Sequence, residues 1–399
     1  MTYEGFHTPC FLLRERELEE SITSFQQALR SRFSQSIVGY SVKTNPLPYC
    51  LRFACEKGCY AEVVSGDEFE LALACGFSVD HIIYNGPMKS KQTFVQAVQG
   101  SAIVNIETFR EIEWLETLPS TKTYGVGVRL NIDISKISPK DQNHDDDNSR
   151  FGFSVETPDF RDIISKIKAL GNVDIVGLHT HRTSKTRSPR FYQNVIQYAQ
   201  PIIDEYGLNL KYWDFGGGFF GRMPGKPTYQ DYADAIYSSL ASSNRNIVVI
   251  VEPGNALVAS AFDYLTSVLD VKNHQGQYYV TIDGTHNDID PFFHKKDYFK
   301  ELLTKGGERV AAGKPQLVSG STCLENDRLF TLAGHEKKLN VGDKILFHRV
   351  GAYTMCLTPL FISFFPPVYS VEKNGSVKIV RKKWTANDFL IKSIIDKNE

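Results

Sequence analysis

Residues 36–46, SIVGYSVKTNP, decide how the rest of the chain is read. A short apolar run leads into Lys43, and Asn45 and Pro46 break the strand pattern directly after it. A lysine at the C-terminal end of a strand is either a solvated edge charge or an amine aimed into a pocket. Lysine is mostly exposed in folded proteins, so the solvated reading stands unless the surrounding chain overturns it.

Working outward, seven further runs of the same texture follow: CYAEVV (59–64), HIIYNG (81–86), AIVNIE (102–107), YGVGVRLNI (124–132), DIVGLHTH (174–181), LKYWDFGGG (210–218) and NIVVIVEPG (246–254). Amphipathic stretches such as PDFRDIISKIKAL (158–170) and YQDYADAIYSSLASS (229–243) separate many of them. Apolar strands alternating with helices argue a parallel sheet covered on both faces. Eight such units fit an α/β fold of the (β/α)₈ barrel type, for which about 250 residues is usual. An open doubly wound sheet is the runner-up, because strand count does not prove closure.

After residue 260 the pattern changes. YYVTIDG, KILFHRV and VYSVEKNGSVKIVR read as strands, and Asn374-Gly375 is a tight-hairpin signal. The expected organisation is a barrel over 30–260, with residues 1–29 joining 261–399 in a mostly antiparallel β domain. TANDFLIKSIIDK (385–397) reads as a closing helix, and the acidic DQNHDDDNSR (141–150) as a loop in which like charges crowd.

With 399 residues, 42% hydrophobic and a formal net charge of −1, the chain is long enough for two well-buried cores and carries no charge signature of a nucleic-acid or membrane partner. Its seven cysteines are odd in number and scattered, which fits a reducing cytoplasm better than a disulfide framework. No secretory pattern opens the sequence. The longest apolar stretch, 357–369, is short for a membrane span and holds three prolines.

Barrel chemistry sits where strands end. Those ends carry Lys43, Glu62, Asn85, Glu107, Arg129, His179, His181, Gly216, Gly217, Gly218 and Glu252. If the barrel closes, Lys43 shares a mouth with a glycine triplet, a His pair and a carboxylate. Consecutive glycines let backbone N–H groups approach a phosphate, although a simple turn explains them equally well. A carboxylate buried at Glu252 needs a cationic or protonated partner, or takes up a proton itself. His179 and His181 lie on one face of their strand, as metal ligands or as one stacking and one structural imidazole. No further metal-ligand pattern surrounds them, so no metal is expected. A lysine amine, a phosphate cradle and an acid for a pyridinium nitrogen are together what pyridoxal 5'-phosphate requires.

In these positions the chain resembles the fold-type III, pyridoxal-phosphate-dependent decarboxylases of ornithine, diaminopimelate and related amino acids. YSVKTNP, EVVSGDEFELAL (62–73), HTHRTS, GGGF, EPGN, GSTCLENDRLF (320–330) and GAY (351–353) resemble that family's motifs, in order. The resemblance implies that Lys43 anchors the cofactor and that His181 stacks on its ring. Ser184, Gly216, Gly217, Gly218 and Tyr353 would bind its phosphate, with Glu252 on the pyridinium nitrogen. It also implies that Cys323, reaching in from the second subunit of a homodimer, returns a proton to the α-carbon. A buried structural cysteine is the plain alternative for Cys323.

The departures concern substrate. Glu62 stands where the family usually has aspartate, Thr183 where it has glycine, and Asn255 where it has arginine. Leu324 occupies the place of the acid that reads a distal amine, and HNDIDPFFH (286–294) lacks the arginine expected for a diaminopimelate carboxylate. Lysine, ornithine and diaminopimelate are therefore poor candidates. Arg182, Lys185, Arg187 and Arg190 crowd 181–190, either as a solvated basic loop or for an anionic or conjugated amino acid of the kind that siderophore and antibiotic pathways use. Arg182, Leu324 and Asp327 are the candidate substrate contacts. Three rivals remain: an amino-acid racemase with the same cofactor, a non-catalytic regulatory homologue, and a metal-dependent barrel hydrolase using His179 and His181.

Overall fold

The structure, a computed structural model, describes residues 3–142, 149–241, 246–311 and 313–394. Residues 143–148 of the acidic segment and 395–397 of the expected closing helix lie outside them. The chain divides into two compact units, Glu19–Leu257 and Met1–Leu18 with Val258–Glu399. The first boundary thus falls inside the helix Glu15–Arg30 rather than after it.

Strand β1 is Cys10–Arg14. The first unit then contributes β2 (Ser36–Ser41), β3 (Tyr60–Ser65), β4 (Ile82–Met88), β5 (Ile103–Ile106), β6 (Tyr124–Asn131), the short β7 (Phe153–Ser154), β8 (Val173–His179), β9 (Tyr212–Asp214) and β10 (Val248–Val251). Their order is β5-β4-β3-β2-β10-β9-β8-β6, all parallel, and β5 pairs with β6 through Asn105–Gly127 and Ile106–Val128. That last pairing closes the sheet, so the doubly wound alternative is excluded. All eight strands expected from the apolar runs are present.

Helices cover the outside because their apolar residues recur every three or four positions. Asp159–Ala169 turns Phe160, Ile163, Ile164 and Ile167 inward. Pro189–Glu205 starts at Ser188, whose hydroxyl accepts the Phe191 N–H, and places Pro189 where no amide donor is needed. It buries Ala199 together with Phe191, Val195, Ile196 and Ile203, the last four contributing on the order of 1.5–3 kcal/mol each.

Inside the barrel, Ile83, Tyr212 and Ile250 form a buried cluster with Ile37, Tyr60, Ile103, Val176 and Val248 against it. Tyr212 crosses this interior only because two neighbours are glycine. A Cβ at Gly177 would lie 2.0 Å from the tyrosine ring, and one at Gly127 2.3 Å from its hydroxyl. The barrel is therefore a filled core with a chemical face at the strand ends.

The second unit adds β11 (Phe262–His274), β12 (Gln277–Ile282), β13 (Lys300–Leu303), β14 (Gln316–Ser319), β15 (Arg328–Leu332), β16 (Lys344–His348), β17 (Val368–Val371) and β18 (Val377–Arg381). The order is β15-β14-β12-β11-β1-β17-β18, with β16 joining β11 to β13. Only β1–β17 and β12–β14 are parallel, so the domain is mostly antiparallel. The chain start belongs here through β1, whose Phe11 and Leu13 are buried. The Asn374-Gly375 hairpin joins β17 to β18, with Gly375 at φ +86. The closing helix spans Ala386–Leu390 among the described residues.

Candidate active site

Four strand ends bring the central groups together. Lys43, just past β2, forms an ion pair with Glu62 of β3, whose side chain is 1% exposed. Asn85, on β4, donates from Nδ2 to Glu252 Oε1 at 2.5 Å and to Glu62 Oε1 at 3.4 Å. Its Oδ1 accepts from Asn105 Nδ2 at 2.8 Å. Asn105 also donates to Asp214 Oδ2 at 3.1 Å and accepts the Tyr212 hydroxyl at 2.9 Å. Lys43 is thus no solvated edge charge.

The glycine turn follows β9. Gly216 takes φ +63 and Gly218 φ +100, conformations that side chains rarely adopt. A Cβ on Gly216 would sit 2.4 Å from His181 Nδ1, so the turn needs glycine for space as well. Asp214 Oδ1 accepts the Gly216 N–H at 3.0 Å, the Glu252 N–H bonds the Gly216 carbonyl at 2.7 Å, and Tyr192 donates to the Gly217 carbonyl at 2.8 Å.

His181 is held by the glycine turn. Its Nδ1 accepts the Gly217 N–H at 2.9 Å, which fixes a neutral ring. Burial first, then the charges of Arg129 and Lys43, depress its pKa to about 3. His179 lies deeper, 2% exposed, its pKa also well below the ordinary histidine value through burial and then Arg129. Arg129 of β6 bonds Glu107 at 2.8 Å, and Glu107 accepts the Gly86 N–H at 3.0 Å, tying β4, β5 and β6 into one rim.

Three buried carboxylates converge on this floor. Burial, then Asp214 and Glu62, push the Glu252 carboxyl well above its ordinary value. Asp214 rises to about 6, chiefly through burial, while a hydrogen bond from Glu252 offsets part of that. Burial and mutual repulsion thus make both carboxyls hold a proton more readily than an exposed acid does. His179, Asp214 and Glu252 also place ligand atoms within 4.8 Å of one another. This is a different trio from the His179/His181 pair, and amide donors already occupy three of its carboxylate oxygens.

One expected contact has its own intrachain partners. Ser184, assigned to a phosphate by resemblance, donates to Asp141 at 2.6 Å and accepts the Arg187 N–H at 2.9 Å. Asp141 also receives the Thr186 N–H at 2.8 Å, so the carboxylate clamps the 184–186 turn. Arg182 lies beside it, half-buried. Arg187 (φ +50) and Lys226 both stack on Phe220, at 5.4 and 5.1 Å.

In the second unit, Asp327 is 2% exposed. It accepts Thr285 Oγ1 at 3.1 Å, the His286 N–H at 2.9 Å and Thr322 Oγ1 at 2.7 Å. These bonds anchor the Cys323 loop. Cys323 and Leu324 are exposed on that loop, and Tyr353 is exposed at φ +57. Asp290 stands in HNDIDPFFH with its carboxylate near His286 Nε2 at 3.1 Å and bonded by the Lys295 N–H at 2.6 Å. Asn105, Asp214 and Tyr212 were not among the expected groups. A single polar residue inside each apolar run was the available signal.

These residues fit pyridoxal phosphate. A strand-end amine, a glycine turn in which Gly217 and Gly218 are half-buried, a neutral imidazole bonded by a backbone donor, and an acid on the floor stand in one mouth. Among the described residues no helix is long and apolar enough to cross a membrane.

Comparison with known proteins agrees. The profile of the pyridoxal-dependent decarboxylase pyridoxal-binding domain matches residues 16–259. The chain is 27% identical to a probable chloroplastic diaminopimelate decarboxylase of Oryza sativa subsp. japonica, over 96% of this chain and 79% of that one. It is 26% identical to the L-glutamyl-(BtrI acyl-carrier protein) decarboxylase of Niallia circulans, over 96% and 93%. The crystal structure of diaminopimelate decarboxylase from M. jannaschii superposes with a TM-score of 0.86 at 23% identity, over 99% and 94%.

Proposed function

Because the chain belongs to the pyridoxal-dependent decarboxylases, we propose that it removes the α-carboxylate of an amino acid presented in anionic or conjugated form. Its cofactor is pyridoxal 5'-phosphate, and it is a carboxy-lyase acting on amino acids. Bound in the mouth, that cofactor supplies the sink for the electron pair left when carbon dioxide departs. Lys43 would anchor it, His181 would back its ring, Gly216–Gly218 would receive its phosphate, to which the family resemblance adds Tyr353, and Glu252 would pair with its ring nitrogen. Ser184 serves the phosphate through its turn, with Asp141 holding that turn in place. Cys323 delivers the proton that replaces the lost carboxylate.

The observation that carries the substrate reading is Leu324, an apolar exposed side chain directly after Cys323. Leucine offers a distal ammonium nothing. Asp290 meanwhile stands in the segment where a diaminopimelate carboxylate requires a cation, and it is already bonded within its own loop. Arg182, Lys185, Arg187 and Arg190 follow His181 in the sequence and make that segment basic. The Niallia relative, whose name gives a carrier-linked L-glutamyl group as substrate, supports conjugates as a substrate class within reach of this fold.

A homodimer with shared sites completes the proposal. Leu357, Leu360, Phe361 and Ile362 leave one short segment of the second unit 38–61% exposed, an apolar surface suited to a second copy. The test compares carbon dioxide release from diaminopimelate, lysine and ornithine with release from citryl- and carrier-linked amino acids. Turnover of a conjugate with KM raised at least tenfold by R182A/R187A supports the reading. Efficient turnover of diaminopimelate with those arginines indifferent overturns it.

A further inference from the structure

Asn85 sits on the floor of the mouth at 2% exposure, between the acid that faces the cofactor ring and the acid that holds the anchoring lysine. The orientation of its amide is set by its surroundings. Nδ2 faces two carboxylates, and Oδ1 accepts from Asn105, whose own oxygen accepts the Tyr212 hydroxyl. Turning the amide over would set its oxygen against Glu252 and Glu62 and leave the Asn105 donor facing another donor. The Asp214 carboxylate, which accepts from Asn105 Nδ2, together with the Tyr212 hydroxyl orients Asn105, and Asn105 orients Asn85.

We propose that Asn85 is a positioning residue for Glu252, donating to its carboxylate so that the proton between that carboxylate and the cofactor's ring nitrogen resides on the nitrogen. The need arises from the neighbours. Glu252 is faced by Lys43 beyond β2, Glu62 on β3, His179 on β8, and Tyr212 and Asp214 on β9. Of these, Asp214 and Glu62 push it toward keeping its proton, and Lys43 alone opposes them. A donor at 2.5 Å to Oε1 favours the anion without adding a charge. A protonated ring nitrogen is what makes the cofactor an electron sink. The inference rests on the roles of Lys43 and Glu252 proposed above.

The test uses binding, with turnover set aside. Dissociation constants of pyridoxal phosphate and of its 1-deaza analogue, which has no ring nitrogen to take the proton, are measured on the full-length protein and on Asn85→Leu. Borohydride reduction and peptide mapping precede the comparison. In the unsubstituted protein the natural cofactor binds more tightly than the deaza analogue. In N85L that preference shrinks about tenfold, the worth of one hydrogen bond to a charged group. Asn85→Ser, which keeps a donor, retains part of the preference and carries the test if N85L does not fold. An unchanged preference in a labelled N85L or N85S protein overturns the inference and spares the cofactor assignment. Absence of the label from Lys43 in the unsubstituted protein overturns both.

Discussion

Lys43, Glu62, Asn85 and Glu252 come from four different strand ends and lock one another through buried bonds, whereas Cys323 and Leu324 stand exposed on one loop that a single buried acid, Asp327, ties down. The contrast separates two tasks. The barrel mouth is the proposed site of one cofactor whose shape does not vary, and its groups are over-determined. The loop of the second unit is the proposed substrate contact, and Asp327 fixes its root. Changes in the first region should abolish function, and changes in the second should redirect it.

The largest effect expected is in the mouth. Lys43→Ala should lower turnover by roughly four orders of magnitude or more and remove the borohydride-dependent pyridoxyl label from that peptide. A variant with near-normal turnover would break the comparison at its root. Next comes the root of the loop. Asp327→Ala leaves the Thr285, His286 and Thr322 donors unpaired, at a cost of roughly 3 kcal/mol. Thermal unfolding should show it as a lowered melting temperature, while Cys323→Ala slows turnover without that shift.

A smaller and more selective change is expected at the exposed position. Leu324→Glu restores an acid after Cys323 and should shift kcat/KM toward diamino acids by about tenfold, read from paired assays with lysine and the true substrate. Unchanged ratios would detach the loop from specificity. The smallest effect concerns protons. His181 is neutral in the folded chain down to about pH 3 and takes a proton in the unfolded chain below about pH 6.5. The stability it contributes is thus present above pH 6.5 and is lost as pH falls toward 3. In apoprotein melts between pH 7 and pH 4.5, His181→Asn should fall less steeply than the unsubstituted chain.

The sequence showed most of the mouth because its residues sit at strand ends, where apolar runs stop and chemistry begins. Lys43 before Asn45 and Pro46, and Glu252 before Pro253, announce themselves in this way. Asn105 and Asp214 did not, since one polar residue inside an apolar run acquires meaning only through the register that sets it across the barrel. The bond from Ser184 to Asp141 spans 43 positions, and no local pattern pairs them. In the second unit the long β11 passed unnamed because its end, Lys272-Asn273-His274, is polar, and because the turn to β12 uses Gln275 and Gly276, at φ +53 and +89, in place of the usual Asn-Gly.

Tyr212 passes between Gly127 and Gly177 with no room for even a methyl group at either. The three positions therefore make a single heritable trait. A descendant that gains a side chain at 177 must first give up the tyrosine. With the tyrosine goes a hydroxyl that helps to orient Asn105, and through it Asn85. Drift at a glycine far from any substrate thus reaches the reaction by way of lineage, and in a set of descendants these positions should change together or remain as they are.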